Sequence, residues 1–193
     1  LDLKWKLISI LLLALVFRII FFSGTASSDE LEYYRYAKEV HDGTFSIELN
    51  HFSFRLGTIY SAAALTWLFG FNELSANGFV LLVSLAGIVL IYFLGKEFFN
   101  ERVGLLASFL LAIFPLDVFY STRLLPDIPA AFFMAVTVLF FMYAEKHRFK
   151  KEAAASNLWY TLSGIACGIA YLMKEVSLLL ALFFAAYVLY KRT

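Results

Sequence analysis

GTIYSAAALTWLF, residues 57–69, is the stretch whose reading decides the architecture. It is predominantly apolar, yet shorter than the roughly 17–25 residues that a helix needs to cross a bilayer. Five other segments meet or approach that length: about 5–23, 75–95, 103–120, 128–145 and 176–190. A sixth, 158–173, is a little short but is bracketed by Trp159-Tyr160 and Lys174-Glu175. If 57–69 also crosses, every later connection changes sides, so its reading sets the topology.

The basic residues decide it. With 57–69 kept out of the membrane and the N-terminus cytoplasmic, one side holds Lys4, Lys6, Lys96, Arg102, Lys146, Arg148, Lys150, Lys151, Lys191 and Arg192. The other side keeps Arg35, Lys38, Arg55, Arg123 and Lys174, with Arg18 inside the first span. Basic residues in short connections favour the cytoplasmic side, and ten against five satisfies that rule. A crossing at 57–69 would instead turn the basic run 146–151 outward. The sequence therefore predicts an all-α integral membrane protein of about six transmembrane helices, with a long first extracytoplasmic loop, 24–74, containing juxtamembrane helices. Segment 57–69 lies in or dips into the outer interface.

Composition agrees. Hydrophobic residues make up 62% of the 193, Phe alone contributes 22, and mean hydropathy is +0.78, more than a soluble core of this length requires. Trp and Tyr gather near segment ends, as at membrane interfaces. The net charge of +1 gives no reason to expect a nucleic-acid partner. Cys167, the one cysteine, lies in an apolar segment and reads as a packed small residue. The chain begins at Leu1 and stops at Thr193 just after an apolar segment, so a trimmed piece of a longer protein is expected.

A loop as long as 24–74 within a compact membrane domain is usually functional. Ser27 to Val40 reads as a helix, with Ser27 as cap and Glu30 three residues on, the spacing of a capping box. Leu31, Tyr34, Ala37 and Val40, three apart, suggest a face resting on the membrane surface, and Gly43 a left-handed stop. Asp29 and Glu30 either offset the helix dipole or place a general base beside the lipid headgroups. Arg123 and Asp127 form a second group in Tyr120-Ser-Thr-Arg-Leu-Leu-Pro-Asp-Ile-Pro129 on the same face. Asp127 reads as a helix cap between two prolines, and Arg123 as a snorkelling cation or a grip on a substrate phosphate. Arg55 opens the short apolar segment. Arg18, within a span, must snorkel, pair with an acid or face a wet cavity. Lys174-Glu175 reads as a tight polar turn, and His41 and His51 as surface or hydrogen-bonded residues. Acids and arginines from separate segments on one face, beside lipid, suit a lipid-phosphate substrate.

These features, in order, resemble a known family. A span carrying an arginine precedes Ser28-Asp29-Glu30 with Tyr33 and Tyr36-Ala37. His51-Phe-Ser-Phe-Arg55-Leu-Gly57 follows, then Leu68-Phe69-Gly70 and Tyr92-Phe-Leu-Gly-Lys-Glu-Phe-Phe99. Gly104-Leu-Leu-Ala107 through Phe114-Pro115 and Ser121-Thr-Arg-Leu-Leu-Pro-Asp127 complete the pattern. Over roughly residues 10–145 the chain resembles the protein O-mannosyltransferase and aminoarabinose-transferase branch of the GT-C superfamily. It departs where well-known members have a His-Pro-Pro or Lys-Pro-Pro run and this chain has His51-Phe-Ser. Members usually have more spans, so six read as an N-terminal module.

The resemblance implies a transferase that moves a sugar from a polyprenyl-phosphate carrier to a protein or lipid acceptor on the outer face. It implies Asp29 as base, Glu30 and Asp127 as groups that orient the acceptor or the arginines, and Arg123 with Arg55 stabilising the phosphate; Arg18 and His51 are further candidates for binding the substrate. No dedicated metal-ligand set is visible in the sequence, although some relatives use a divalent metal at such acids. The alternatives are a non-catalytic lipid-binding or assembly module of the same fold, and a transporter. The transporter is disfavoured because the spans carry no acids at their middles.

Overall fold

The computed structural model describes residues 3–26 and 28–192, and every regular element among them is helical. In chain order these are α1 (Leu3–Ile20), α2 (Ser28–Asp42), α3 (Leu56–Phe69), α4 (Glu73–Phe98), α5 (Glu101–Ile113), α6 (Pro115–Ser121), α7 (Asp127–Phe149) and α8 (Ala153–Met173). A single 3-10 turn, Glu175–Ser177, leads into α9 (Leu178–Arg192).

Local sequence accounts for most boundaries. Asn72 caps α4 reciprocally: its side chain accepts from the Ser75 N–H at 2.9 Å, while the Ser75 hydroxyl accepts from the Asn72 N–H at 3.2 Å. Asn100 caps α5 through the Val103 N–H at 3.0 Å. Gly43 closes α2 with φ 73, the left-handed stop expected from the sequence. The predicted cap Ser27 lies outside the described residues. Glu30 does reach back as a capping acid should, accepting from the Ala26 N–H at 2.7 Å.

One predicted span differs. Residues 103–120 do not form one helix: α5 and α6 meet at Phe114-Pro115 with a 61° bend. Pro115 brings no N–H to the ladder and forces Phe114 into extended backbone, φ −65 and ψ 117, so the helix ends and restarts at its own first turn. Among the described residues α4 and α7 are each long and apolar enough to cross a membrane, and the bent α5–α6 pair would make a third. α1 falls short because Lys4, Lys6 and Arg18 interrupt it, α8 because polar and aromatic residues dilute it, and α9 because it is 15 residues long.

Small residues set the packing. Between α4 and α5, a Cβ on Gly95 would stand 2.7 Å from the Gly104 Cα, and one on Gly104 would stand 2.5 Å from the Tyr92 carbonyl oxygen. The two backbones touch there, as small residues permit in membrane helix pairs. Ser108 adds a hydroxyl bond to the Ile88 carbonyl at 2.9 Å. α7 and α8 form an antiparallel hairpin, with Ser163 donating to the Thr137 carbonyl at 2.9 Å and Ser156 to Ala144 at 3.0 Å.

α2 buries its predicted face only in part: Tyr34 packs at the edge of the core and Leu31 lies outside it. It buries Tyr33, Tyr36, Ala37 and Val40 against Ile59, Ala62 and Ala63 of α3 and Ala76 and Val80 of α4, with Leu124 beside them. Leu31 stays exposed. The reason is helical period: positions three apart drift around the helix, whereas 33, 36, 37 and 40 stay on one face. α3 is an apolar helix of 14 residues held between α2, α4 and the end of α8. A Cβ on its Gly57 would come within 3.0 Å of the Leu172 backbone.

The Gly95–Gly104 contact predicts an asymmetry. Gly104→Leu must push α4 and α5 apart and should cost at least about 1–3 kcal/mol, read as a lower thermal midpoint in detergent. Gly164→Ala, where an added Cβ meets nothing within 4 Å, should leave that midpoint unchanged or raised.

Candidate functional site

The start of α2, the α6–α7 connection, the start of α3 and the α8–α9 turn converge at one end of the molecule, and each delivers a charge. Its centre is Glu30. That side chain is 1% exposed, and Arg123 Nη1 donates to its Oε1 at 2.7 Å across a separation of 93 residues. A carboxylate so far removed from water is tolerable only with such a partner. Arg123 also lies over the Phe119 ring, 3.9 Å from the centroid, which fixes the guanidinium plane. Its Nε is buried without a partner among the described residues.

A second chain of contacts runs through Arg55. It donates to the Tyr33 hydroxyl and grips both Glu175 oxygens, at 3.0 and 2.7 Å. Burial pushes the Tyr33 phenol up to about 12; Arg55 opposes this, while the charges of Asp29 and Glu175 add to it. The Asp29 carboxylate therefore acts on the same hydroxyl that Arg55 holds. The Arg55 bond holds Glu175 down at about 2. Because that pKa is depressed, the contact is complete above the ordinary carboxylate range and is lost as pH falls toward 2. A third link joins Lys174 Nζ to Asp127 at 2.6 Å.

The loop before α3 is pinned so that Arg55 arrives in place. Glu48 accepts from the Tyr36 hydroxyl at 2.7 Å and pairs with Arg35 at 3.2 Å, while the Ser53 hydroxyl donates to the Glu48 carbonyl at 2.6 Å.

Of the sequence candidates, Asp29, Glu30, Arg55, Arg123 and Asp127 all lie at this end. Asp127 is the first residue of α7, one place inside the helix from the cap position held by Pro126. His51 is exposed with its ring against Phe52, centroids 3.9 Å apart. Arg18 stands apart: fully buried, it pairs with Asp117 and donates to Ser84 at 2.9 and 2.7 Å. Of the three readings its sequence allowed, the ion pair is what is found. Tyr33, Lys174 and Glu175 were missed as site residues. The one signal for the last two was an adjacent pair of opposite charges between apolar segments. Thr25 Oγ1 and Asn77 Oδ1, on segments bordering the site, are also buried without partners among the described residues. Among those residues no three His, Cys, Asp or Glu side chains gather as a metal set.

Residues 56–193 match the family model described as dolichyl-phosphate-mannose-protein mannosyltransferase. The chain belongs to that family. It is thus a member of a family of membrane glycosyltransferases of GT-C type, as the resemblance implied. The matched region takes in Arg123, Asp127, Lys174 and Glu175 and begins after Asp29, Glu30 and Arg55. No curated protein and no solved structure matches the chain.

The pairing of Glu30 with Arg123 has a measurable signature. Arg123→Gln or Glu30→Gln alone should each cost about 3–5 kcal/mol, because either removes half of a buried ion pair. The double variant should recover much of that loss. Equal and additive losses in chemical or thermal unfolding would show that the two side chains do not depend on one another.

Proposed function

We propose that this protein transfers a sugar from a polyprenyl-phosphate carrier to a hydroxyl of a protein or lipid acceptor on the extracytoplasmic face. The observation that carries the reading is that Arg123, inside the family match, is held by Glu30 of the acidic pair, beside Asp29. The family is named for dolichyl-phosphate-mannose and a protein, a lipid-phosphate sugar donor and a protein acceptor. An isoprenoid tail needs a bilayer, which the apolar α4 and α7 support. In this reading the chain is multi-pass with about six spans, the N-terminus is cytoplasmic and the Glu30 end faces outward. The excess of basic residues at the other end supports that orientation.

The chemistry follows from the residue types. Asp29, exposed at the first turn of α2, takes the proton of the acceptor hydroxyl. The oxygen attacks the anomeric carbon from the face opposite the phosphate, the bond to the phosphate oxygen breaks, and configuration inverts. Negative charge grows on the departing lipid phosphate. Arg123 meets it with donors that Glu30 leaves unused, among them the unpartnered Nε. Glu30 is a positioning residue, too deeply buried and too firmly engaged to act as base. Arg55 and Asp127 are engaged by Glu175 and Lys174 and form the rim that orients the substrate.

Asp29→Asn keeps the size and polarity of the side chain and removes the base. In vesicles with a polyprenyl-phospho-sugar and an acceptor, transfer should fall by about 100- to 10,000-fold while helicity and melting stay unchanged. A folded Asp29→Asn protein that transfers at the original rate would exclude Asp29 as the base.

A further inference from the structure

A feature that the transfer reaction does not use has its polar end at the far end of α7 from this site. An apolar groove of about 710 Å³ runs between α8 and α9, floored by Gly164 and Gly168 and walled by Phe141 and Phe184. A Cβ on either glycine would meet nothing within 4 Å, so the groove is open down to the α8 backbone. It leads into a polar pocket of about 360 Å³, and the two are continuous because Tyr160 and Val188 line both.

The polar pocket is built around Glu145. This one acid holds Arg148 at 2.7 Å and Lys191 at 3.1 Å, and it also accepts from the Tyr160 and Tyr187 hydroxyls. Two cations against one acid leave a surplus positive charge. Both residues are exposed, and both keep donors that Glu145 does not use. Such donors fit the oxygens of a phosphate.

From Tyr160 to Tyr171 the α8 wall of the groove rises about 17 Å, at about 1.5 Å per residue, room for acyl chains lying along the helix. Charge selects the headgroup, since two cations face one acid at the polar end of the groove. We propose that this face binds an anionic glycerophospholipid, its phosphate against Arg148 and Lys191 and its acyl chains over Gly164 and Gly168. The inference stands independently of the transferase reading, since it uses neither Asp29 nor Arg123.

The test is lipid retention. The whole protein is equilibrated in vesicles of equal phosphatidylglycerol and phosphatidylcholine, and the lipid that stays bound is read by native mass spectrometry. Phosphatidylglycerol should be retained in preference, one molecule per chain at this site. The Arg148→Gln/Lys191→Gln double variant should lose that preference by roughly thirty-fold, the effect of two basic side chains at a membrane surface. Gly168→Leu, which fills the groove and leaves the charges, should release both lipids with helicity unchanged. Lys96→Gln, at the same basic end but outside the groove, should retain phosphatidylglycerol as before. Equal retention of the two lipids, or undiminished phosphatidylglycerol in the double variant, overturns the proposal. A lipid-free pair of chains in the spectrum would overturn it as well, giving the groove to a second copy.

Discussion

A carboxylate sealed from water sets a demand that the rest of the chain must meet. Glu30 is 1% exposed, and it accepts from the Arg123 guanidinium, which arrives from 93 residues away. Meeting that demand ties the loop after the first helix to the connection between α6 and α7. The bend at Pro115 helps to deliver it. α6 leaves the line of α5 by 61°, and Arg123 comes two residues after α6 ends. Beneath it the Arg18–Asp117–Ser84 cluster fixes α6 to α1 and α4. Such buried ionic groups contribute little net stability, but they allow few alternative arrangements.

Charge is distributed along α7 in a way that separates two chemistries. At its start, Asp127 meets Lys174 and the arginines are matched to acids drawn from other segments. At its end, about 27 Å away at 1.5 Å per residue, Glu145 is outnumbered by its cations. In the proposed reading the first end accepts a phosphate together with groups that move a proton. The second has cations and apolar walls without an acid left over for catalysis, which suits a lipid that stays.

Period, punctuation and charge made much of this legible in the sequence. The apolar segments and the helix ending at Gly43 have local causes, and the distribution of basic residues put Asp29, Glu30, Arg55, Arg123 and Asp127 on one side; the break at Pro115 was not read, since 103–120 was expected as one span. What could not be read was which side chains meet. Arg55 finds Glu175 across 120 residues and Lys174 finds Asp127 across 47, and no spacing rule connects such positions. The face of α2 was read in part, Ala37 and Val40 but not Tyr33 and Tyr36, because a three-residue repeat of apolar positions imitates amphipathicity for one turn and then drifts. Arg18 was ambiguous for a related reason, since an arginine within a span has the same sequence signature whether it snorkels or pairs.

The claim that these residues serve sugar transfer from a lipid phosphate is tested most directly by product release. The purified protein in vesicles is offered a panel of polyprenyl-phospho-sugars with an acceptor, and free polyprenyl phosphate is measured. The account predicts that at least one donor is consumed, with polyprenyl phosphate appearing in step with glycosylated acceptor. Well-folded protein that binds these lipids yet releases no polyprenyl phosphate from any of them would contradict it.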